Sequence, residues 1–194
     1  MDKDILLKYY IEEKKSISEI AHILDRSETG INYWMKKYGI QKRTISESIY
    51  LKNNPNGDPF EVKVPNSLYL AELKGVGIGL YWGEGSKKNK NSIKLCNSDP
   101  ALIDKFIEFL IKILGVDKNN LKFSLQVYKD VNPEGVKKYW VDYLKIKPEQ
   151  FYSKITITES KKSGTYKNKN KLGVLNVYYH NTKLRDILIK MLPL

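Results

Sequence analysis

Three observations predict that this sequence forms an α+β protein in two parts. Apolar residues recur at helical spacing through residues 1–50. Beyond residue 90, several short segments alternate apolar and polar side chains, as half-buried strands do. Between these regions, the segment NNPNGDP at residues 53–59 is dense in turn-forming residues. We therefore expect a helical domain over residues 1–50, a linker over residues 51–66 and an α+β domain over residues 67–194.

The charge of the chain indicates a polyanionic partner. The 194 residues include 34 Lys and Arg against 22 Asp and Glu, a formal net charge of +12 at pH 7. An excess of this size favours nucleic acid ahead of a membrane surface. Residues 1–50 are almost neutral, with nine basic against eight acidic side chains, so the excess lies in the C-terminal part.

Cysteine and histidine are too scarce for two common kinds of structural site. The single cysteine, Cys96, excludes an internal disulfide framework. The two histidines, His22 and His180, lie far apart in the sequence, so a structural zinc site is not expected. The chain shows neither a signal peptide nor an apolar run of membrane length. We expect a cytoplasmic protein with no membrane partner.

The first 50 residues predict three helices. Residues 2–13 have an amphipathic helical pattern. Ser16 followed by Glu19 is a capping box that opens the second helix, and Ser27 caps a third helix that Gly39 ends. The sequence therefore contains a start signal for each of the two short helices that follow the first.

The break between the second and third helices is short, at Asp25 and Arg26. Three helices with such a break match a helix-turn-helix unit, and residues 17–40 resemble the small DNA-binding domains of that kind. In those domains the third helix enters the major groove. The resemblance implies that the outward side chains of the third helix contact DNA, namely Thr29, Asn32, Tyr33 and Lys36. The alternative is a three-helix module that only packs or mediates protein contacts.

The C-terminal part predicts alternating helices and strands. One helix begins near Leu68, and others are predicted over residues 100–114, 136–144 and 182–191. Strands are predicted over residues 92–97, 121–128, 153–158 and 172–179, with a basic turn or further short strand over residues 86–91.

The helix that begins at Leu68 is unusually rich in glycine. Gly75, Gly79 and Gly83 fall at i, i+4 and i+8, so they line one helix face. Each interior glycine costs about 1 kcal/mol relative to alanine. A face without side chains allows a second backbone to approach closely, so these glycines are predicted to form a helix-packing or dimer surface. The helix ends at Glu84, a carboxylate between two glycines.

The segment IGLYWGEG at residues 78–85 resembles the last eight letters of the LAGLIDADG homing-endonuclease motif. The resemblance covers roughly residues 68–194 and implies an αββαββα domain, here with one added helix over residues 136–144. In that family two such helices pack side by side, and the final acidic residue of each holds the divalent metals that cleave DNA. Glu84 takes that position as catalytic metal ligand, whereas Trp82 stands where the family usually has its first acidic residue.

The chain contains one glycine helix, so a complete two-motif site requires a homodimer. Two carboxylates brought together repel unless a cation lies between them. Oxygen ligands with open positions suit Mg²⁺, and a metal pair can clamp the attacking and leaving oxygens of a phosphodiester. The expected cofactor is therefore Mg²⁺. The alternative for Glu84 is a cap or salt bridge at the helix end.

Lysines are predicted to contact the DNA backbone in two places. Lys87, Lys88 and Lys94 follow the glycine helix closely enough to lie near a scissile phosphate. The loop over residues 161–171 contains five more: Lys161, Lys162, Lys167, Lys169 and Lys171. A ribbon with such a rim can enter a major groove, where Asn168 or Asn170 could contact bases. The alternative is a solvated hairpin tip.

These patterns lead to one leading function and two alternatives. The leading hypothesis is a metal-dependent double-strand DNA endonuclease with Glu84 as metal ligand. The first alternative is a cleavage-inactive transcriptional regulator on the same fold, which uses the same surfaces only to bind DNA. The second is an RNA-binding or splicing-assisting protein that uses the basic sheet.

Overall fold

The computed structural model describes residues 1–159 and 171–193. The chain divides into two compact units, residues 1–58 and residues 59–194. In the described ranges the elements are eight α-helices and one four-stranded sheet, so the predicted α+β class is confirmed. The residues predicted as a linker, 51–66, are divided between the two units. Among the described residues, no helix combines the length and apolar character needed to cross a membrane.

The N-terminal unit contains four α-helices. They are α1 (Lys3–Leu7), which a π-helical turn continues over Lys8–Glu12, α2 (Ile17–Ile23), α3 (Glu28–Lys37) and α4 (Ile45–Asn53). The first three surround a small core in which Leu6, Ile20, Ile31 and Met35 are fully buried. Helical spacing in the sequence brings these side chains to one face of each helix.

Polar caps determine where α2 and α3 begin. Ser16 Oγ accepts a hydrogen bond from the backbone N–H of Glu19 at 3.2 Å, and the Glu19 carboxylate accepts one from the N–H of Ser16 at 2.7 Å. The predicted capping box is therefore confirmed. Ser27 Oγ accepts from the N–H of Gly30 at 3.1 Å. Asp25, between the two helices, has a φ of 48°, and this left-handed residue makes the short turn.

Helix α4 is not among the predicted elements. It begins at a second capping box, in which the Thr44 hydroxyl accepts from the N–H of Glu47 and the Glu47 carboxylate accepts from the N–H of Thr44. None of its residues is buried, so the apolar periodicity that identifies a core-facing helix is missing. The sequence signal for this helix is therefore the capping box at Thr44 and Glu47 alone.

The C-terminal unit follows the order α, β, α, β, α, β, β, α. Its helices are α5 (Leu68–Glu84), α6 (Pro100–Lys112), α7 (Pro133–Leu144) and α8 (Thr182–Lys190). Its strands are β1 (Ile93–Asn97), β2 (Lys122–Tyr128), β3 (Thr156–Thr158) and β4 (Val174–Tyr179). Single 3₁₀ turns lie at Lys118–Asn120 and Pro148–Gln150. Phe60 and Val62, inside the predicted linker, pack against the core of this unit.

The sheet has the strand order β1-β4-β2-β3. β4 pairs antiparallel with both β1 and β2, whereas β2 and β3 are parallel. Parallel strands need a crossover connection, and α7 supplies it between β2 and β3. Residues 86–91, predicted as a basic turn or a short strand, form no strand; a single bridge joins the preceding residue, Gly85, to Leu95.

The two faces of the sheet differ in polarity. On one face, side chains such as Leu95, Phe123, Leu125 and Val177 are buried in a core shared with α5, α6, α7 and α8. The alternate positions, which include Lys94, Ser124 and Asn176, remain partly accessible to solvent. The period-2 alternation of the strands therefore gives an apolar inner face and a polar outer face. We call the second one the open sheet face.

One glycine allows α5 to pack closely on α6. Gly77 is buried, and a Cβ built on it would lie 2.1 Å from Cγ of Phe109. One turn later, the ring of Tyr81 stacks on Phe106 with centroids 6.1 Å apart. These contacts place the opposite side of α5, with Gly75 and Gly79, at the surface.

Gly77→Ala is expected to lower the free energy of unfolding of the C-terminal unit by about 1–3 kcal/mol, the usual cost of overpacking. Gly75→Ala is the matched control, because nothing in the described chain lies within 4 Å of the added Cβ. Helix propensity favours alanine there by about 1 kcal/mol. Urea unfolding of both variants measures the difference, and equal stability would contradict the close packing.

An ionic cluster joins the N-terminal turns of α5 to α6. Glu108 accepts hydrogen bonds from Lys105 at 2.8 Å, from Lys112 at 2.7 Å and from the hydroxyl of Tyr69. These three hydrogen bonds lower the pKa of Glu108 from 4.5 to about 2. The cluster therefore stabilises the fold while Glu108 is ionised.

The contribution of Glu108 to stability is expected to depend on pH. Its pKa is lower in the folded state, so the stabilisation is complete above about 4.5 and disappears as the pH falls towards about 2. Glu108→Gln should cost about 1 kcal/mol at neutral pH, the upper range for a partly exposed ion pair. Thermal unfolding against pH tests this, with Glu149→Gln at an exposed site as the control. A constant difference across the acidic range would contradict the ionic role.

Candidate nucleic-acid interface

Glu84 lies at the C-terminal end of α5, next to the edge of the sheet. It is the last residue of the helix, and the following residue, Gly85, bridges to Leu95 of β1. Its side chain is exposed and makes no hydrogen bond or ion pair with the described part of the chain. The carboxylate is therefore available to an external ligand.

The turn after Glu84 is held from α8. Nε of Arg185 donates to the carbonyl of Asn89 at 3.0 Å, and its Nη2 donates to the carbonyl of Lys87 at 2.6 Å. Nζ of Lys87 donates to the carbonyl of Trp82 at 2.6 Å, where it satisfies a free acceptor at the end of α5. Lys87, predicted to contact DNA, thus also caps the helix, and both Lys87 and Lys88 are exposed.

A single chain does not by itself provide a metal site around Glu84. Within the described residues, no group of three or more His, Cys, Asp or Glu side chains is arranged to hold a metal ion. One carboxylate is a poor Mg²⁺ site, because that ion is usually held by several oxygen ligands. The residues present would fit Mg²⁺ only if another molecule brought a second carboxylate to Glu84.

The predicted glycine surface on α5 is open. Gly75, Gly79 and Gly83 are all exposed, and a Cβ on any of them would meet nothing within 4 Å in the described chain. Two large apolar side chains accompany them on α5, Leu68 at 86% and Trp82 at 49% exposure. We call this surface the glycine face. Nothing in the described part of the chain fills it.

The open sheet face presents polar and basic side chains in rows across the strands. Lys94 of β1 lies opposite Tyr178 of β4, which in turn lies opposite Lys122 of β2. In the next row Asn176 lies between Cys96 and Ser124. The face thus combines two ammonium groups with hydroxyl and amide groups that donate and accept hydrogen bonds.

The four predicted contact residues of α3 share one surface. A depression of about 490 Å³ is lined by Thr29, Asn32, Tyr33 and Lys36, together with Ile40 and Lys42. Oδ1 of Asn32 is buried and has no hydrogen-bond partner among the described residues. An unpaired buried acceptor costs about 1–3 kcal/mol.

The structure describes only part of the predicted lysine set. Lys94 lies on the open sheet face and Lys171 is exposed, but Lys161, Lys162, Lys167 and Lys169 lie outside the described residues. Lys122 is not among the residues predicted from the sequence, although the alternation of KFSLQVY places it in the polar phase of its strand. Arg185 was not predicted either, because no local pattern indicates a contact with a turn nearly a hundred residues away.

No family model, curated protein or solved structure matches the chain. A functional interpretation therefore depends on the geometry and chemistry of the glycine face, the open sheet face and α3.

Proposed function

We propose that this protein binds double-stranded DNA through the open sheet face. The observation that carries the proposal is the row formed by Lys94, Tyr178 and Lys122, a basic stripe on a sheet face that stays accessible in the described structure. Lysines contact phosphates, whereas neighbouring hydroxyl and amide groups can contact base edges. The net charge of +12 favours a polyanion over other partners.

The polar surface of α3 supports a second DNA contact. Its outward side chains Thr29, Asn32, Tyr33 and Lys36 line one depression. Asparagine can form paired hydrogen bonds with adenine in the major groove. The N-terminal unit is nearly neutral, so we assign it to sequence discrimination and the C-terminal unit to affinity.

The two lysines of the open sheet face should contribute to the salt dependence of DNA binding. Lys94→Gln together with Lys122→Gln is expected to reduce the slope of log affinity against log salt by about 2, since each phosphate contact contributes about 0.9. The control is Lys138→Gln, whose ammonium already pairs with Asp142 on α7. Fluorescence anisotropy with a duplex at several salt concentrations measures both slopes. An unchanged slope in the double variant would contradict the assigned surface.

We further propose that two copies associate through the glycine face and hydrolyse phosphodiester bonds. Gly75 and Gly79 leave the backbone of α5 exposed, and close backbone contact offsets the cost of glycine in a helix. A twofold contact there would bring the two Glu84 carboxylates together beyond the helix ends. Mg²⁺, when bound, would neutralise the paired carboxylates and polarise the phosphodiester.

The second candidate function is a transcriptional regulator that binds DNA without cleaving it. Trp82 favours this candidate, because an exposed indole stands two residues before Glu84 where a second acidic residue would help to hold a metal. The described chain also lacks an acidic cluster that could compensate. The two candidates share the DNA-binding surfaces and differ only in chemistry.

Glu84→Gln separates the two candidates. For the nuclease, the protein with Mg²⁺ should cut a randomised duplex library, and the variant should lose cleavage while it keeps DNA affinity. For the regulator, the protein should protect its site without nicks, and the substitution should change little. Sequencing of DNA ends together with footprinting measures both results. Absence of duplex binding by the unmodified protein would reject both candidates.

Gly79→Leu tests the association of two copies. The added side chain should separate the helices and convert a dimer to a monomer, because the face allows contact only while it is bare. Sedimentation velocity measures the change, and Ser153→Leu at another exposed site is the control. A monomeric unmodified protein at micromolar concentration would remove the second carboxylate and with it the nuclease candidate.

A further inference from the structure

Three aromatic rings lie together at one end of the open sheet face. Tyr178 and His180 stack with centroids 5.9 Å apart and an angle of 14° between the planes. The ring of Tyr152 lies edge-on to Tyr178, with centroids 5.7 Å apart. Tyr152 and His180 are both exposed. We call these three residues the aromatic platform.

Hydrogen bonds hold the platform in place. The Tyr152 hydroxyl and Nε2 of His180 are 2.5 Å apart, and the Tyr178 hydroxyl lies 3.3 Å from Oγ of Ser124. The backbone N–H of Tyr152 donates to the carbonyl of Phe123 at 2.9 Å, which fixes that residue beside β2. Rings that are already ordered lose little conformational entropy when they bind a ligand.

The platform is bordered by positive charge. Nζ of Lys94 is 5.2 Å from the centroid of the Tyr178 ring, and Lys122 is the cross-strand neighbour of Tyr178. Another exposed aromatic pair shows the contrast. Tyr139 and Tyr143 of α7 also stack, but the nearby Lys138 is neutralised by an ion pair with Asp142.

Trp34 and Tyr38 at the end of α3 also stack, with Nζ of Lys37 4.7 Å from the centroid of the Trp34 ring, but both rings are half-buried against the core of the N-terminal unit. The aromatic platform differs because it has two exposed rings beside Lys94 and Lys122, which form no ion pair within the described residues.

We propose that the aromatic platform binds an unpaired DNA base, with Lys94 and Lys122 contacting the flanking phosphates. Exposed aromatic rings in a positive groove are the usual means of binding single-stranded nucleic acid, since every base has a face that can stack. Bases inside a duplex are covered by their neighbours, so the platform takes a base that has left the stack. The inference goes beyond duplex binding and depends on the proposed function only for DNA as the polymer.

The test compares two single strands that differ only in their bases. One probe is a fluorescent thymidine oligonucleotide of about twelve nucleotides, within the usual site size. The other is an abasic strand with the same number of phosphates. The full-length protein should bind the thymidine strand about tenfold more tightly, because the abasic strand keeps the phosphates but has no base to stack on the rings. Equal anisotropy titrations for the two probes would overturn the proposal.

Substitutions assign the preference to the platform. Tyr178→Ala should bring the ratio of the two affinities close to one, whereas Tyr178→Phe, which keeps the ring, should preserve it. Tyr139→Ala with Tyr143→Ala is the matched control and should also preserve the ratio. His180→Ala makes the same test at an exposed side chain if Tyr178→Ala unfolds. An unchanged ratio in folded Tyr178→Ala or His180→Ala would overturn the proposal.

Two further titrations separate this inference from the proposed function. A uridine RNA strand that binds about tenfold more tightly than the thymidine strand would overturn DNA as the occupant, whereas equal or weaker binding agrees with it. Duplex DNA is titrated in parallel. Loss of the thymidine preference with duplex binding intact rejects the platform alone, and a thymidine preference without duplex binding supports the platform while it rejects the proposed function.

Discussion

The close approach of α5 to α6 at Gly77 determines what the C-terminal unit presents to its surroundings. Phe109 lies against the backbone of α5 because Gly77 has no side chain, and Tyr81 stacks on Phe106 one turn later. Together the two contacts fix the rotation of α5 about its own axis. A helix so fixed must turn its remaining glycines outward, since residues two apart lie on nearly opposite sides. The glycine face and the position of Glu84 both follow from this single contact.

Burial of one face also determines what the sheet exposes, because side chains in a strand alternate between its two faces. Burial of Leu95, Phe123 and Val177 beneath the helices forces their neighbours in each strand to the other face. A register shift of one residue would bury Lys94 and Lys122 and expose the core, so hydrophobic burial fixes the register. The basic row on the open sheet face is therefore a consequence of the same burial that stabilises the domain.

Local patterns in the sequence predicted the elements better than their contacts. The capping box at Ser16 and Glu19 and the cap at Ser27 depend on neighbouring residues, and both are present. The exposed stripe of Gly75, Gly79 and Gly83 followed from helical spacing. Gly77, in the same segment, was missed because its requirement for glycine comes from Phe109, more than thirty residues away.

Pairings between distant segments account for the rest of what the sequence did not predict. Nothing in the residues of β4 indicates that it lies between β1 and β2, and the row from Lys94 to Lys122 depends on that order. The contact of Arg185 with the turn after α5 has the same origin. Helix α4 was not predicted for another reason. None of its residues is buried, so its sequence lacks the apolar periodicity of a core-facing helix. For the proposed metal-binding and DNA-binding roles, the sequence suggested the chemistry of each residue but not which side chains the fold brings beside it.

The strand order also sets a distance along the open sheet face. β3 ends at Thr158, which pairs with Tyr128, and β4 begins at Val174, which pairs with Gln126, so these two strand ends lie at the same end of the sheet. The row that contains Lys122 lies at the other end of the sheet. Lys122 precedes Gln126 by four residues in β2, a distance of about 13 Å at the usual rise of a strand. Successive base pairs of B-DNA are about 3.4 Å apart along the axis. If a duplex binds this face as we propose and lies along the strands, these strand ends and the basic row would therefore be roughly four base pairs apart.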